Sequence, residues 1–189
     1  MHYPCLSEPV ADPNGYALVS YREADAVAIG RWRNEQMQVL RQSRELSEEE
    51  QLRYFREVIR PSMSAVQPAL VLVSLLLGGR CIGYGGLTHI DWSAGRAEVS
   101  YLAETARAAS RPSYHADFSA FLGLLKILAF SRLRLHRLFT ETYDIRPHHS
   151  AALEAAGFKL EGRLRKHYLI DGNLTDAVLH GLLSEEYGA

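Results

Sequence analysis

A chain of 189 residues, with 47% hydrophobic and 23% charged side chains, is long enough to fold as one globular domain. Its 21 basic and 22 acidic side chains leave a formal charge of −1, so no net field attracts nucleic acid or an anionic membrane. Cys5 and Cys81 lack the spacing of a metal site, and we expect both to be reduced thiols in a cytoplasmic protein. The composition therefore favours neither a nucleic-acid-binding protein nor a disulfide-rich secreted one.

The start of the chain shows no secretory signal, since residues 1–14 lack a charged segment followed by an apolar one. We expect these residues to form a loose leader to a single domain that spans residues 1–189. The longest apolar run, residues 69–77, is far shorter than the roughly 20 residues of a membrane-spanning helix. Its valines and leucines are typical of a buried strand, and we predict no membrane segment.

A strand and two helices are predicted in the first third of the chain. The strand covers residues 16–21, and a helix follows over residues 22–33. In the second helix, Ser47 and Glu50 have the spacing of a capping box, and the helix is predicted to stop before Pro61. Its inward-facing side chains are predicted to be Leu52, Phe55, Val58 and Ile59.

A hairpin is predicted in the middle of the chain. Gly78-Gly79 separates apolar strands at residues 70–77 and 80–89, and both glycines can adopt the positive φ of a tight turn. A third strand is predicted at residues 96–102. The three strands together predict an antiparallel meander.

The second half of the chain alternates helices and strands. Apolar residues recur at helical spacing from Phe118 to Phe130, and alternation predicts a strand at residues 137–143. A short helix is predicted at residues 148–156, with Gly157 as its C-terminal cap. Two closing strands flank a predicted hairpin turn at Asp171-Gly172.

This half also carries a family resemblance. LHRL at Leu135–Leu138 is followed by a strand, a loop, a short helix and Gly157-Phe158, and this spacing resembles the C-terminal half of the GNAT superfamily of acyl-CoA-dependent N-acetyltransferases. The chain is most similar to the branch that acetylates protein N-termini and nucleotide-linked amino sugars, over about residues 16–183. The resemblance implies an α/β (α+β) fold with a mixed, mainly antiparallel, V-shaped sheet flanked by helices. It also implies direct transfer of an acetyl group from acetyl-CoA to a primary amine, without a covalent enzyme intermediate.

The resemblance also indicates an acceptor site. The segment from Ile29 to Asn34 corresponds to the family element that walls the acceptor pocket. Trp32, Arg33 and Asn34 are therefore predicted to line this site, although Trp32 is equally well explained as a core anchor. Tyr168, on the first closing strand, is predicted to face the same side.

In the family, one strand of the meander separates from its neighbour and binds the acyl group and the pantetheine arm. Here the backbone N–H groups of Ser100, Tyr101 and Leu102 are predicted to face acetyl-CoA. Glu98, which shares a strand face with Ser100, is the candidate base, either directly or through a water molecule. The alternatives are an exposed surface glutamate or an ion-pair partner of Arg96.

The phosphate-binding loop of the family has no clear equivalent, because residues 103–117 contain no glycine. The two usual glycine positions fall on Tyr114 and Ala116, which we keep as candidate cofactor contacts. We predict that an altered loop binds the cofactor and that Arg107 and Arg111 neutralise its phosphates. The competing interpretation is a non-catalytic binding module that has kept the scaffold and lost the CoA site.

The usual acid of the family is also absent. The family's asparagine position falls on Arg146, which is predicted to bind the cofactor or an anionic acceptor, and its tyrosine position falls on Leu153. Tyr143, His148 and His149 are nearby substitutes, and His149 is preferred because an imidazole near its usual pKa exchanges protons at neutral pH. The alternative for His149 is a solvated position at a helix start.

A nucleotide-linked amino sugar is the preferred acceptor, and a peptide N-terminus is the rival. We expect a small-molecule amine as partner rather than nucleic acid or a membrane, and a monomer or homodimer. No HxxxH motif or cysteine cluster occurs, so we predict no metal site.

Overall fold

A computed structural model describes residues 1–188, and its centre is a single sheet. The eight strands in these residues are β1 (Val10–Ala11), β2 (Tyr16–Ser20), β3 (Val71–Leu77), β4 (Arg80–Asp91), β5 (Arg96–Ala103), β6 (Arg137–Tyr143), β7 (Lys159–Ile170) and β8 (Asn173–Leu183). The helices are α1 (Ala26–Glu35), α2 (Glu48–Tyr54), α3 (Arg60–Ser62), α4 (Thr105–Ala109), α5 (Arg111–Lys126) and α6 (Pro147–Ala155). Turns of π-helix at Phe55–Ile59 and Ile127–Arg132 join α2 to α3 and extend α5.

The order of strands places a gap within the sheet. It runs β1-β2-β3-β4-β5-β6-β8-β7, and neighbours pair antiparallel except β5 and β6, which run parallel. This parallel ladder joins residues 96–98 to residues 137–139 and then ends, so the two strands separate. The mixed, mainly antiparallel α/β fold that the sequence predicts is confirmed.

Local signals in the sequence predict the turns correctly. Gly78 and Gly79 have φ of +56° and +83°, and Asp171 and Gly172 have φ of +47° and +77°, so both hairpins turn through two left-handed residues. Gly157 follows α6 with φ of +95°, as a helix C-terminal cap requires.

The second predicted helix differs from expectation. Its capping box forms as predicted, with Ser47 and Glu50 exchanging hydrogen bonds. The helical run then continues past Pro61 as α3, and Val58 is 40% exposed rather than inward-facing. The π-helical turn that contains Val58 holds more residues than an α-helical turn, so the apolar side chains after it point in a different direction. Pro61 then lies in the first turn of α3, where a proline is tolerated.

The sequence predicts a loose leader over residues 1–14, but in the structure these residues pack on the sheet. Tyr3, Leu6 and Val10 are buried, and β1 pairs antiparallel with β2. The backbone N–H of Leu72 on β3 donates a hydrogen bond to Oη of Tyr3 at 3.2 Å. The burial of these apolar side chains and this hydrogen bond attach the leader to the domain. The sequence of residues 1–14 has no periodic pattern that predicts this packing.

Helices on the two sides of the sheet set the walls of the site. Helix α5 contacts β2, β5 and α6, whereas α1 contacts β5 and α2. Both cysteines are free thiols in the structure. Within residues 1–188, no helix has the length and apolar character needed to cross a bilayer.

Candidate functional site

A cavity of about 350 Å³ lies where β5 and β6 separate. Residues 98–101 of β5 and 140–143 of β6 line it, together with side chains from α5, α6 and the segment that follows α1. Because successive side chains of a strand point to opposite faces, the cavity meets both faces of the sheet. On β5, Tyr101 packs against Phe118 of α5 with 4.7 Å between ring centroids, whereas Glu98 contacts the segment after α1 on the opposite face.

The site therefore has two walls. The helix-side wall consists of Tyr101, Thr140, Thr142, Arg146 and His149. The loop-side wall consists of Arg41, His89, Glu98, Glu141 and Tyr143.

The helix-side wall contains polar atoms without partners. In the described part of the chain, Oη of Tyr101, Oγ1 of Thr140, Oγ1 of Thr142 and Nε of Arg146 are buried and form no hydrogen bond. An unsatisfied buried polar group costs about 1–3 kcal/mol, so four of them around one cavity indicate a polar ligand. The pantetheine arm of an acyl-CoA carries amide donors and acceptors, and β5 beyond Glu98 has a free edge toward the cavity. These residues therefore fit the acyl donor that the resemblance implies.

His149 and Tyr114 close one end of this wall. Nδ1 of His149 lies 2.6 Å from Oη of Tyr114, and the imidazole stacks on Phe118 with 4.6 Å between ring centroids. Burial, followed by the charge of Arg146, lowers the pKa of His149 well below its usual range. The expectation of an imidazole near its usual pKa is therefore wrong. The alternative of a solvated position is also wrong, because His149 is buried and neutral.

The predicted phosphate loop is a helix in the structure. Residues 105–109 form α4, and Tyr114 lies one turn into α5 with its side chain buried, while Ala116 is exposed on the same helix. The cofactor contacts predicted for Tyr114 and Ala116 stay predictions, and the Tyr114 side chain faces the interior of the protein. A glycine-free segment of alanines favours a helical turn over a tight loop, which is why the loop was not recognisable.

Arg107 has a partner within the protein. Its Nε and Nη2 donate to the two carboxylate oxygens of Asp117 at 2.5 and 2.7 Å, and Asp117 is 0% exposed. This bidentate pair raises the pKa of Arg107 above its usual value and ties α4 to α5. Arg111 is exposed at the first turn of α5, next to the capping residue Ser110. The phosphate roles of Arg107 and Arg111 stay predictions.

Glu98 is held from two sides on the loop-side wall. Its Oε2 lies 2.7 Å from Nδ1 of His89, and its Oε1 accepts a hydrogen bond from Arg41 at 3.3 Å. Arg41 also lies 3.2 Å from the carboxylate of Glu141. Arg96 instead pairs with Asp91 at 3.6 Å, so the alternative of a Glu98–Arg96 pair is wrong.

Two tyrosines complete this side of the site. Oη of Tyr143 donates to the carbonyl oxygen of Leu40 at 3.3 Å, and the ring centroids of Tyr143 and Tyr168 are 4.6 Å apart. Tyr168 also donates to the carboxylate of Glu141. Burial raises the pKa of Tyr143, so its phenol is protonated at neutral pH.

The structure separates Trp32, Arg33 and Asn34, which the sequence assigns to the acceptor site. Trp32 is buried in the core and lies outside the cavity lining, in line with the core-anchor alternative. Arg33 lines the cavity, where it donates to Gln42 at 3.0 Å and to Tyr84. Asn34 exchanges hydrogen bonds of 2.8 and 2.9 Å with the backbone of Leu46 and so holds the segment that carries Arg41.

Sequence reasoning missed several residues of the site. Arg41, His89, Glu141, Thr140 and Thr142 all line the cavity, and none was singled out. The two threonines carry a usable signal, because they occupy alternate positions of β6 that would otherwise be apolar. No motif indicates Arg41 or His89.

Comparisons with known proteins agree with this geometry. A family model described as the acetyltransferase (GNAT) domain matches residues 18–179. No curated protein sequence matches the chain.

Among the described residues, no group of three or more His, Cys, Asp or Glu side chains is arranged to hold a metal ion.

Several solved structures share the fold at low sequence identity. A spermidine N-acetyltransferase SpeG chimera from Vibrio cholerae and hSSAT superposes with a TM-score of 0.76 at 18% identity, covering 92% of this chain and 98% of that one. RimJ from Mycobacterium smegmatis, in complex with CoA-disulfide, gives 0.75 at 19% identity over 96% and 88% of the two chains. RimL, a ribosomal L7/L12 alpha-N-protein acetyltransferase in complex with coenzyme A, gives 0.75 at 13% identity over 93% and 98%.

The family match spans most of the chain, and the cavity with its unsatisfied polar wall lies in the gap of the sheet. The chain belongs to the GNAT acetyltransferase family, and the protein is an acetyl-CoA-dependent N-acetyltransferase of this type.

Proposed function

We propose that the protein acetylates the primary amine of a small acceptor that enters along the loop-side wall, with Glu98 as the general base. The observation that carries this proposal is the cavity between β5 and β6. One of its walls presents buried polar atoms without partners, and the other presents a carboxylate held from two sides. This division supports binding of the acyl donor at the helix-side wall and of the amine at the loop-side wall.

When bound, acetyl-CoA supplies an acetyl group activated as a thioester. On the helix-side wall, Nε of Arg146 is available as a donor, and the hydroxyls of Thr140 and Thr142 are available as donors or acceptors. The backbone N–H groups of residues 100–102 are proposed to hold the acyl oxygen. Arg111, at the start of α5, is proposed to contact phosphate, where it adds to the favourable potential of a helix N-terminus.

On the loop-side wall, Glu98 is proposed to take a proton from the ammonium group of the acceptor and so free its lone pair. A carboxylate also attracts the cationic amine before the proton moves. Tyr143 holds a proton on Oη and is proposed to give it to the thiolate of CoA that leaves when the thioester bond breaks. Because burial keeps His149 neutral, its role is proposed to be hydrogen bonding rather than donation from an imidazolium.

A nucleotide-linked amino sugar is the acceptor we propose. Arg33 lies between the main cavity and a second cavity of about 410 Å³, which Tyr54 and Tyr84 also line. Tyr54 is 41% exposed, and such a ring can stack on a base while an arginine contacts phosphate. The acceptors printed in the names of similar structures, spermidine and a protein N-terminus, are the rivals. Glu141 is the second carboxylate of the loop-side wall after Glu98, and its negative charge favours the rivals because they are cationic amines.

An acceptor screen with two variants tests the proposal. The purified protein is given acetyl-CoA and a nucleotide-linked amino sugar, an unblocked peptide or spermidine, and products are measured by mass spectrometry. We expect Glu98→Gln to lower turnover by at least tenfold while the Kd for acetyl-CoA is unchanged. Glu104→Gln is the matched control, because Glu104 pairs with Arg80 at 2.9 Å away from the cavity. Full turnover in Glu98→Gln would remove Glu98 as base.

Calorimetry separates loss of donor binding from loss of chemistry. We expect micromolar binding of both acetyl-CoA and desulfo-CoA, because the proposed contacts involve the pantetheine arm and the phosphates rather than sulfur. Absence of binding at millimolar ligand would support the rival of a non-catalytic scaffold.

A further inference from the structure

A bulge in β4 sets His89 apart from the other residues of the loop-side wall. Thr88 pairs with Glu98 and Asp91 pairs with Arg96, so His89 and Ile90 together oppose a single residue of β5. His89 has φ of +47°, in the left-handed region that residues with a Cβ atom rarely adopt. The ladder is therefore irregular at one point, and a strained residue occupies that point.

The bulge changes the direction of the His89 side chain. In a regular ladder, residue 89 would oppose Ala97, whose side chain is buried in the core, and would share its face. The extra residue instead brings Nδ1 of His89 to 2.7 Å from Oε2 of Glu98. Re-aiming a side chain is the usual effect of a bulge beside an active site, and glycine would fit this backbone without strain.

The two partners are exposed to different degrees. The Glu98 side chain is 12% exposed and lines the cavity, whereas the His89 side chain is 70% exposed. A hydrogen bond at this distance requires a proton between the atoms, so neutral His89 donates its Nδ1–H to Glu98. The second nitrogen, Nε2, is then the ring atom that takes up a proton from solvent.

We propose that His89 is a positioning residue for Glu98 and that its charge sets the acidic limit of acetyl transfer. The inference rests on the proposed role of Glu98 as base. Neutral His89 fixes Oε2 at 2.7 Å, so the acceptor is proposed to approach Oε1, which Arg41 contacts at the longer distance of 3.3 Å. When Nε2 gains a proton, the imidazolium stabilises the carboxylate and makes Glu98 a weaker base.

Other charged groups near Glu98 do not produce the same dependence. Arg41, from the segment after α1, contacts Oε1 and keeps its charge throughout the working pH range. Glu141 on β6 contacts Arg41 rather than Glu98, and His167 on β7 lies 3.8 Å from Glu141. The Asp91–Arg96 pair lies at the end of the hairpin. Arg33, Tyr143, Arg146 and His149 line the rest of the cavity. Of the two side chains that contact the Glu98 carboxylate in residues 1–188, His89 is the one that exists in both a neutral and a charged form.

Two substitutions separate the position of His89 from its charge. Asparagine tolerates the left-handed backbone and can donate to Oε2, but it does not titrate, whereas glycine removes both functions. The measurement is kcat/KM against pH, with saturating acetyl-CoA and the amine from the acceptor screen that gives the highest rate. We expect His89→Asn to keep the plateau and to move the acidic limb to lower pH, because asparagine cannot gain a proton. We expect His89→Gly to lower the plateau about tenfold, with a Tm no lower than that of the unsubstituted protein.

Nitrogen-15 NMR of the imidazole tests the contact without an acceptor. We expect neutral His89 to carry its proton on Nδ1, and we expect Glu98→Gln to change this tautomer. A proton on Nε2, or an unchanged acidic limb in His89→Asn, would overturn the inference. If Glu98→Gln is inactive while both His89 variants match the unsubstituted protein, the inference alone fails. If Glu98→Gln is fully active, the proposed base fails, and the tautomer still decides whether His89 is bound to Glu98.

Discussion

The hydroxyl of Tyr114 lies 2.6 Å from Nδ1 of His149, and this buried hydrogen bond joins α5 to α6 at the edge of the cavity. His149 is stacked on Phe118 and has no access to bulk water sufficient to stabilise a charge. The imidazole of His149 is therefore packed in the interior of the protein and also lines the cavity. Its burial has a consequence for stability that activity measurements would not show.

Stability should fall as the pH drops below neutral. In the folded protein, burial keeps His149 neutral, whereas the unfolded imidazole gains a proton below about pH 6.5. The unfolded state then binds more protons, so the free energy of unfolding decreases by up to about 1.4 kcal/mol per pH unit. Urea unfolding between pH 7.5 and 5, as an approximate range for imidazole titration, measures this slope.

The matched variants identify the group responsible. His149→Asn should be less stable at neutral pH but should show a shallower slope below it. His115→Asn, on the exposed side of α5, should keep the original slope. An equal slope in His149→Asn and the unsubstituted protein would assign the pH dependence to other groups.

Removing Arg107 should destabilise the fold rather than only weaken cofactor binding. Arg107→Ala leaves the buried carboxylate of Asp117 without its bidentate partner, which costs about 3–5 kcal/mol when a charge is left unpaired. Tyr16 still donates to Asp117 at 2.9 Å, so we expect the lower end of this range. Thermal unfolding, with calorimetry of acetyl-CoA binding, measures both effects.

A role for Arg107 in phosphate binding predicts the opposite pattern. In that case Arg107→Ala would weaken acetyl-CoA binding with little change in Tm. Arg111→Ala is the control, because Arg111 is exposed at the helix start and its loss should leave Tm unchanged.

Thr140→Val should increase stability and decrease donor affinity. The Thr140 hydroxyl is buried without a partner, and an apolar group of the same shape avoids the desolvation cost of about 1 kcal/mol or more. If the hydroxyl bonds the acyl donor, its loss should raise the Kd for acetyl-CoA about tenfold. Chemical unfolding without ligand and calorimetry with acetyl-CoA measure these two changes.

The control for this substitution lies on the same sheet. Thr175→Val, near the exposed hairpin, removes a hydroxyl that already donates to the carbonyl of Asn173 at 3.3 Å. It should leave acetyl-CoA affinity unchanged. Unaltered affinity in Thr140→Val would mean that the donor does not reach this hydroxyl.

The fold was predictable where its signals are local. The Gly78-Gly79 turn, the capping box at Ser47 and the cap at Gly157 depend on a few neighbouring residues, and each forms as predicted. The packing of Tyr3 was not predictable, because it depends on β2 and β3, which lie far along the chain. The π-helical turns were missed for the same reason, since tertiary contacts overrule helical spacing.

The site was predictable only in part. Strand alternation correctly puts Glu98 and Tyr101 on opposite faces of β5, because the period of a strand is fixed by its backbone. The position of Arg41 depends on the contacts of Asn34 and Gln42 that shape the segment after α1. The bond between Tyr114 and His149 joins residues 35 positions apart on two helices. No single-sequence pattern encodes such contacts.

The short ladder between β5 and β6 makes the sheet two half-sheets rather than one. In the part of the chain that the structure describes, the ladder between β5 and β6 has three residue pairs, and the backbone N–H groups of His136 and Arg137 add hydrogen bonds to the carbonyl of Gly95 at its start. Side-chain contacts such as those of α5 with α6 supply the remaining cohesion. In the proposed binding mode, the acyl donor lies beside β5 where the ladder to β6 is missing, so it takes the place of a strand. Amide hydrogen exchange in β6 and β8 should therefore slow on binding acetyl-CoA, which makes the substrate a structural component of the fold it reacts in.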